Sequence, residues 1–107
     1  MITSTSNQQM KQVSALLKKA KERREKQVFV VEGPKMVIEA PAEWLKAVYV
    51  SEFFAEKPEN KAVLHALEDK CKQSQAVYEL VADSVFKSVS DTQTPQGIMA
   101  VVSMPEY

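Results

Sequence analysis

The sequence predicts an α/β fold with helices on both faces of one sheet, and three observations carry that prediction. Helix-like and strand-like segments alternate along the chain in the order α-β-α-β-α-β-α-β. The strand-like segments are apolar at nearly every residue instead of every second one, which is what a strand needs when both of its faces are covered. The 107 residues suit one compact domain, since domains most often run ~100–150 residues. No repeat, low-complexity tract or second domain is visible.

Residues 7–23 read as the first helix. Ser6 or Asn7 offers a short polar side chain as N-cap, and Met10, Val13, Leu16, Leu17 and Ala20 form an apolar stripe at helical spacing. Lys11, Lys18, Lys19 and Lys26 fall on the opposite side. Arg24 would fall on the apolar side if the helix ran on, so its end is expected near residues 22–24. The β-branched run at 28–32 is the first strand, and Gly33-Pro34 punctuates it. Pro34 suits the first turn of a helix over 34–40, because its missing amide would be unpaired there. Residues 47–51 form the second strand, Phe53-Phe54 up to Pro58 a loop, and 59–73 a helix with Val63, Leu64, Leu67 and Cys71 on one face. Residues 77–81 are the third strand, and 84–89 a short helix with Asp83 as its cap. The turn-rich stretch 90–97 then leads into the fourth strand, 98–103.

Apolar residues make up 45% and charged residues 26% of the chain, the balance of an ordinary globular protein. No apolar run approaches the ~18 residues of a membrane span, and residues 1–12 lack the layout of a signal peptide. A single cysteine forms no internal disulfide, so a cytoplasmic location is expected, and one Cys with one His excludes a structural zinc site. The net charge is zero but unevenly spread. Residues 1–35 carry eight basic and three acidic side chains, a balance of +5, and the remainder carries −5. Such asymmetry marks either an electropositive surface on an acidic body or a solvated helix face.

A catalytic site is hard to assemble from these residues. His65 falls well away from the apolar stripe of its helix and is expected in solvent, while Cys71 lies on the stripe as a small core residue. Two glycines, Gly33 and Gly97, make no glycine-rich loop for a nucleotide phosphate. Glu68 and Asp69 point in different directions on one helix. What remains is the basic run from Lys18 to Lys26, suited to phosphate or to solvent, and Thr94-Pro95-Gln96-Gly97, which reads as an ordinary turn or as a polar binding loop. The residues describe a binder.

Together these clusters form a pattern. Ile2-x-Ser4-x-x-Asn7, Leu16-Leu17-Lys18-Lys19, Arg23 or Arg24, and Phe29-x-x-Glu32-Gly33 open it. Ser90-Asp91-Thr92-x-Thr94-Pro95-Gln96-Gly97-Ile98-x-Ala100-Val101-Val102 closes it. The order and spacing resemble the N-terminal substrate-binding domain of the SpoU/TrmH family of RNA 2′-O-ribose methyltransferases, across about residues 2–103, with 43–75 generic. The resemblance implies a three-layer αβα sandwich with a mixed four-stranded sheet, similar to ribosomal proteins that bind kink-turn RNA. It implies a structured RNA partner, rRNA or tRNA. Matched to the family pattern as RNA-binding are Asn7, Lys18, Lys19, Arg23 or Arg24, Glu32, Gly33, Thr94, Pro95, Gln96 and Gly97; no catalytic residue or metal ligand is matched. S-adenosylmethionine and homodimer formation are implied for a further, knotted catalytic domain that this chain lacks. Residues 1–107 are therefore expected to be a single RNA substrate-binding domain, an isolated N-terminal piece with no methyltransferase activity of its own. The rival reading is a protein-interaction module with Trp44, Phe53 and Phe54 as exposed anchors. A further alternative has Arg24 pairing internally with Glu32.

Overall fold

The mixed sheet and its two helical layers follow directly from the apolar runs. The computed structural model describes residues 1–90 and 95–103. The described elements are α1 (Gln8–Lys18), α2 (Ala20–Lys26), β1 (Val28–Glu32), α3 (Pro34–Glu39), β2 (Leu45–Ser51), α4 (Glu52–Glu56), α5 (Lys61–Ser74), β3 (Val77–Val81), α6 (Asp83–Val89) and β4 (Ile98–Ser103), with 3-10 turns at Ala42–Trp44 and Pro58–Asn60. The strand order is β1-β4-β2-β3; β2 and β3 are parallel, and β4 runs antiparallel to both β1 and β2.

Alternation along each strand divides the core in two. On one face Val31, Val48, Val50, Ile98, Ala100 and Val102 pack against Val37 of α3, Phe54 of α4, and Leu64, Leu67 and Cys71 of α5. On the other, Ala47, Tyr49, Met99 and Val101 meet Met10, Val13 and Leu16 of α1 and Val85, Phe86 and Val89 of α6. This is the expected αβα sandwich. Leu45 and Ala47 face opposite layers although two residues apart, because the register shifts between them: Leu45 pairs with Val102 and Ala47 with Val101. A bulge of this kind lets exposed Lys46 stand outside the alternation. Two-sided burial holds for β2 and β4, whereas β3 is an edge strand with Val77 and Leu80 exposed. Its outer side is partly covered by Ile2, which bridges Val81 in parallel.

Three local expectations change. The first helix is two helices, since Lys19 is extended (φ −122°, ψ 109°) and breaks the run. The break re-phases the chain, so Arg24 avoids the core and Ala20, expected on the buried stripe, is exposed. The segment with Phe53 and Phe54 is not a loop but α4, whose first turn is capped by the Ser51 hydroxyl accepting from the Phe54 N–H at 3.4 Å. A five-residue helix is too short to show apolar periodicity. The cap position of α6 is Ala82, with Asp83 already helical; the Asp83 carboxylate instead accepts the Phe53 N–H at 3.0 Å.

Candidate functional site

The basic run is shaped by the break at Lys19. Asn7 starts α1: its side-chain oxygen accepts from the N–H groups of Gln9 (2.8 Å) and Met10 (3.3 Å). At the other end, the break at Lys19 deprives the Leu16 and Leu17 carbonyls of their helical N–H donors. Arg23 folds back from α2 to answer them. Its Nη1 donates to the Leu16 carbonyl at 2.6 Å and to the Leu17 carbonyl at 3.3 Å. A cation at a helix C-terminus also meets the negative end of the helix dipole. The result is a bracketed elbow between α1 and α2.

The other charges divide accordingly. Lys26 pairs with Glu22 at 3.3 Å and Lys21 with Glu25 at 3.8 Å, each one helical turn apart. Lys18, Lys19 and Arg24 are exposed, and among the described residues no ion pair engages them. An internal Arg24–Glu32 pair is absent among those residues; the arginine held inside is Arg23. Glu32 instead accepts from the Ser90 hydroxyl at 2.7 Å.

A second cluster forms where β1, β2 and β3 end and β4 begins. Gly33 and Gly97 both have positive φ, +104° and +92°. The Gly33 N–H donates to the Ile98 carbonyl (2.9 Å), and the Ser51 N–H and hydroxyl both donate to the Gly97 carbonyl (2.8 and 3.1 Å). Each glycine is there because a neighbour fills the place of a side chain. A Cβ on Gly33 would lie 2.8 Å from Gln96 Oε1; one on Gly97 would lie 2.7 Å from Ser51 Oγ and 2.8 Å from the tip of the Phe53 ring. So Glu32, Gly33, Gln96 and Gly97 come together, with Pro95 half-buried beside them. Thr94 lies outside the described residues. Lys18, Lys19, Arg23 and Arg24 form the separate elbow cluster, and no hydrogen bond or ion pair among the described residues links the two.

Residues the sequence could not single out are Ser51 and Lys57, whose Nζ sits 5.8 Å from the centroid of the Phe53 ring. Of the proposed protein-contact anchors, Phe54 is buried and Trp44 half-buried; Phe53 alone is exposed. His65 is exposed, with Nε2 4.0 Å from Asp69. Burial pushes the Cys71 thiol up, although neighbouring Lys70 pulls the other way. Among the described residues no group of His, Cys, Asp or Glu could hold a metal ion, and no helix is long and apolar enough to cross a membrane.

A mixed four-stranded sheet between two helical layers is the fold this chain shares with solved methyltransferase structures. The family model described as the MRM3-like substrate binding domain matches residues 7–100. The chain belongs to that family, the substrate-binding part of SpoU/TrmH methyltransferases. Among solved structures, an rRNA methyltransferase from Sinorhizobium meliloti superposes with a TM-score of 0.76 at 24% identity, covering 99% of this chain and 37% of that one. An RNA 2′-O ribose methyltransferase gives 0.70 at 30% identity, covering 98% and 38%. The SpoU methyltransferase AviRb from Streptomyces viridochromogenes, solved with AdoMet, gives 0.62 at 17% identity, covering 94% and 36%. The chain thus spans less than two fifths of the length of these neighbours. No curated protein matches.

Proposed function

We propose that residues 1–107 form a single domain that grips structured RNA, rRNA or tRNA, and positions it for ribose 2′-O-methylation by a separate catalytic domain. The observation that carries this reading is the elbow, where three exposed cations, Lys18, Lys19 and Arg24, cluster about a break held open by Arg23. Phosphate contacts of this kind fix register and orientation without reading sequence. Arg24 is the strongest single contact, since a guanidinium can hold a phosphate through two parallel hydrogen bonds.

S-adenosylmethionine, which the family implies, does not fit the residues of this chain. The chain has two glycines, and neither is an open cradle: Gln96 lies over Gly33, and Ser51, Phe53 and Phe54 crowd Gly97. Methyl transfer and dimer formation then belong to the catalytic domain. The test is RNA affinity at several salt concentrations for the wild type and Arg24→Ala. Losing one phosphate contact lowers the slope of log K against log salt by about 0.7–0.9. An unchanged affinity and slope would return the elbow to a solvated face. Titration with S-adenosylmethionine in a calorimeter is expected to give no heat of binding.

A further inference from the structure

We propose that the sheet end around Phe53 is a stacking site for an unpaired nucleobase, with Phe53 as the platform, Lys57 as its cation and Gln96 as the group that bonds the base edge. This rests on the RNA reading above and deepens it, separating the place where bases are held from the elbow where phosphates are held.

Phe53 is the most exposed aromatic side chain among the described residues, at 37%. Its position is fixed on three sides. The backbone is tied to α6 by a reciprocal pair, Phe53 N–H to Asp83 Oδ1 (3.0 Å) and Asp83 N–H to Glu52 Oε1 (3.3 Å). The ring tip abuts Gly97, where only a hydrogen fits. Lys57 holds its ammonium 5.8 Å from the ring centroid. A ring so anchored loses little freedom when a base stacks on it. One residue before Gly97, the exposed Gln96 places its amide on Gly33, and among the described residues that amide makes no hydrogen bond. An amide offers both donor and acceptor to a base edge.

The charges at this end favour a base over a phosphate. Glu32, Glu52 and Asp83 are carboxylates already accepting from Ser90, Asp83 and Phe53, and together they repel an anion. Sequence-specific RNA recognition commonly takes this form: unstacked bases laid on aromatic rings and bonded along their edges.

The experiment measures binding of a hairpin RNA with an unpaired loop and of the corresponding fully paired duplex. The proteins are the wild-type domain, Phe53→Leu, Phe53→Trp and Lys57→Gln, each checked by thermal melting. Base–aromatic stacking predicts that Phe53→Leu weakens hairpin binding roughly 5- to 150-fold and leaves the duplex unaffected. Phe53→Trp, which keeps a stacking face, retains hairpin affinity. Lys57→Gln, which removes the cation beside the ring, weakens hairpin binding about 2- to 5-fold and leaves the duplex unaffected with the fold undisturbed, an arm that does not depend on altering the ring. Unchanged hairpin affinity in a folded Phe53→Leu protein overturns the site. Equal weakening of hairpin and duplex overturns it too. Wild-type protein that binds neither RNA overturns the RNA reading itself.

Discussion

Arg23 and Arg24 are identical side chains one residue apart, and their surroundings give them different work. Arg23 holds two carbonyls of α1, whereas Arg24 points to solvent. Arg23→Ala is expected to lower stability by about 1–2 kcal/mol, the usual loss for a charged hydrogen bond at a helix end. Arg24→Ala should stay within ~0.5 kcal/mol. Thermal or urea unfolding separates them. Arg23→Gln and Arg23→Lys sharpen the comparison of RNA binding: glutamine keeps a donor for the carbonyls and loses the charge, lysine keeps the charge and loses the planar fork. If Arg23 acts by bracing the elbow, Gln retains RNA affinity better than Ala does. The glycines differ in the same way. Gly33→Ala meets the far end of the flexible Gln96 side chain, which can swing aside, so its cost is chiefly the positive φ, about 1 kcal/mol. Gly97→Ala meets buried Ser51 and the Phe54 Cβ, which have nowhere to go. It should destabilise by several times more, on the order of 3 kcal/mol.

Elements differ in how openly the sequence declares them. The strands were legible because β-branched runs such as Val28–Glu32 and Ile98–Ser103 have no other comfortable place. The helix α5 was legible because Leu64, Leu67 and Cys71 repeat at helical spacing over 14 residues. The break at Lys19 was not, for neither glycine nor proline marks it, and the brace that Arg23 supplies from four residues on is a side-chain bond that no apolar pattern announces. Nor was α4, which depends on a cap from the end of β2 and on the Asp83 carboxylate of α6, which accepts the Phe53 N–H. The candidate site was legible as residue types and order; that Gln96 lies on Gly33 required the fold. Within β2, Tyr49 is buried and its hydroxyl donates to Gln9 Oε1 at 2.8 Å. Burial, with a smaller push from Glu79, raises its pKa from 10.0 to about 12. The unfolded tyrosine therefore ionises first, and the stability held below pH 10 is lost as pH rises towards 12. Melting temperature measured across that window should fall more steeply for the wild type than for Tyr49→Phe.

For the molecule as a whole, a radius of gyration of 13.0 Å is that of one packed domain of this length, about 13 Å for 100 residues. Its charge is polarised without being large, so RNA affinity should be modest and steeply dependent on salt. Three phosphates held by Lys18, Lys19 and Arg24 give a slope of roughly −2 to −3, readable from binding curves between low and physiological salt. The strand order has a consequence for how the molecule comes into being. The final strand, β4, lies between β1 and β2, so β1 has no partner until residues 98–103 have emerged from the ribosome. Until then the nascent chain can close only the parallel β2–β3 pair, while the apolar edge of β1 waits unpaired and open to chaperones or to neighbouring chains. Synthesis stalled just short of Ile98 should accordingly yield a protease-sensitive nascent chain, and release of only the next few residues should confer resistance in a single step.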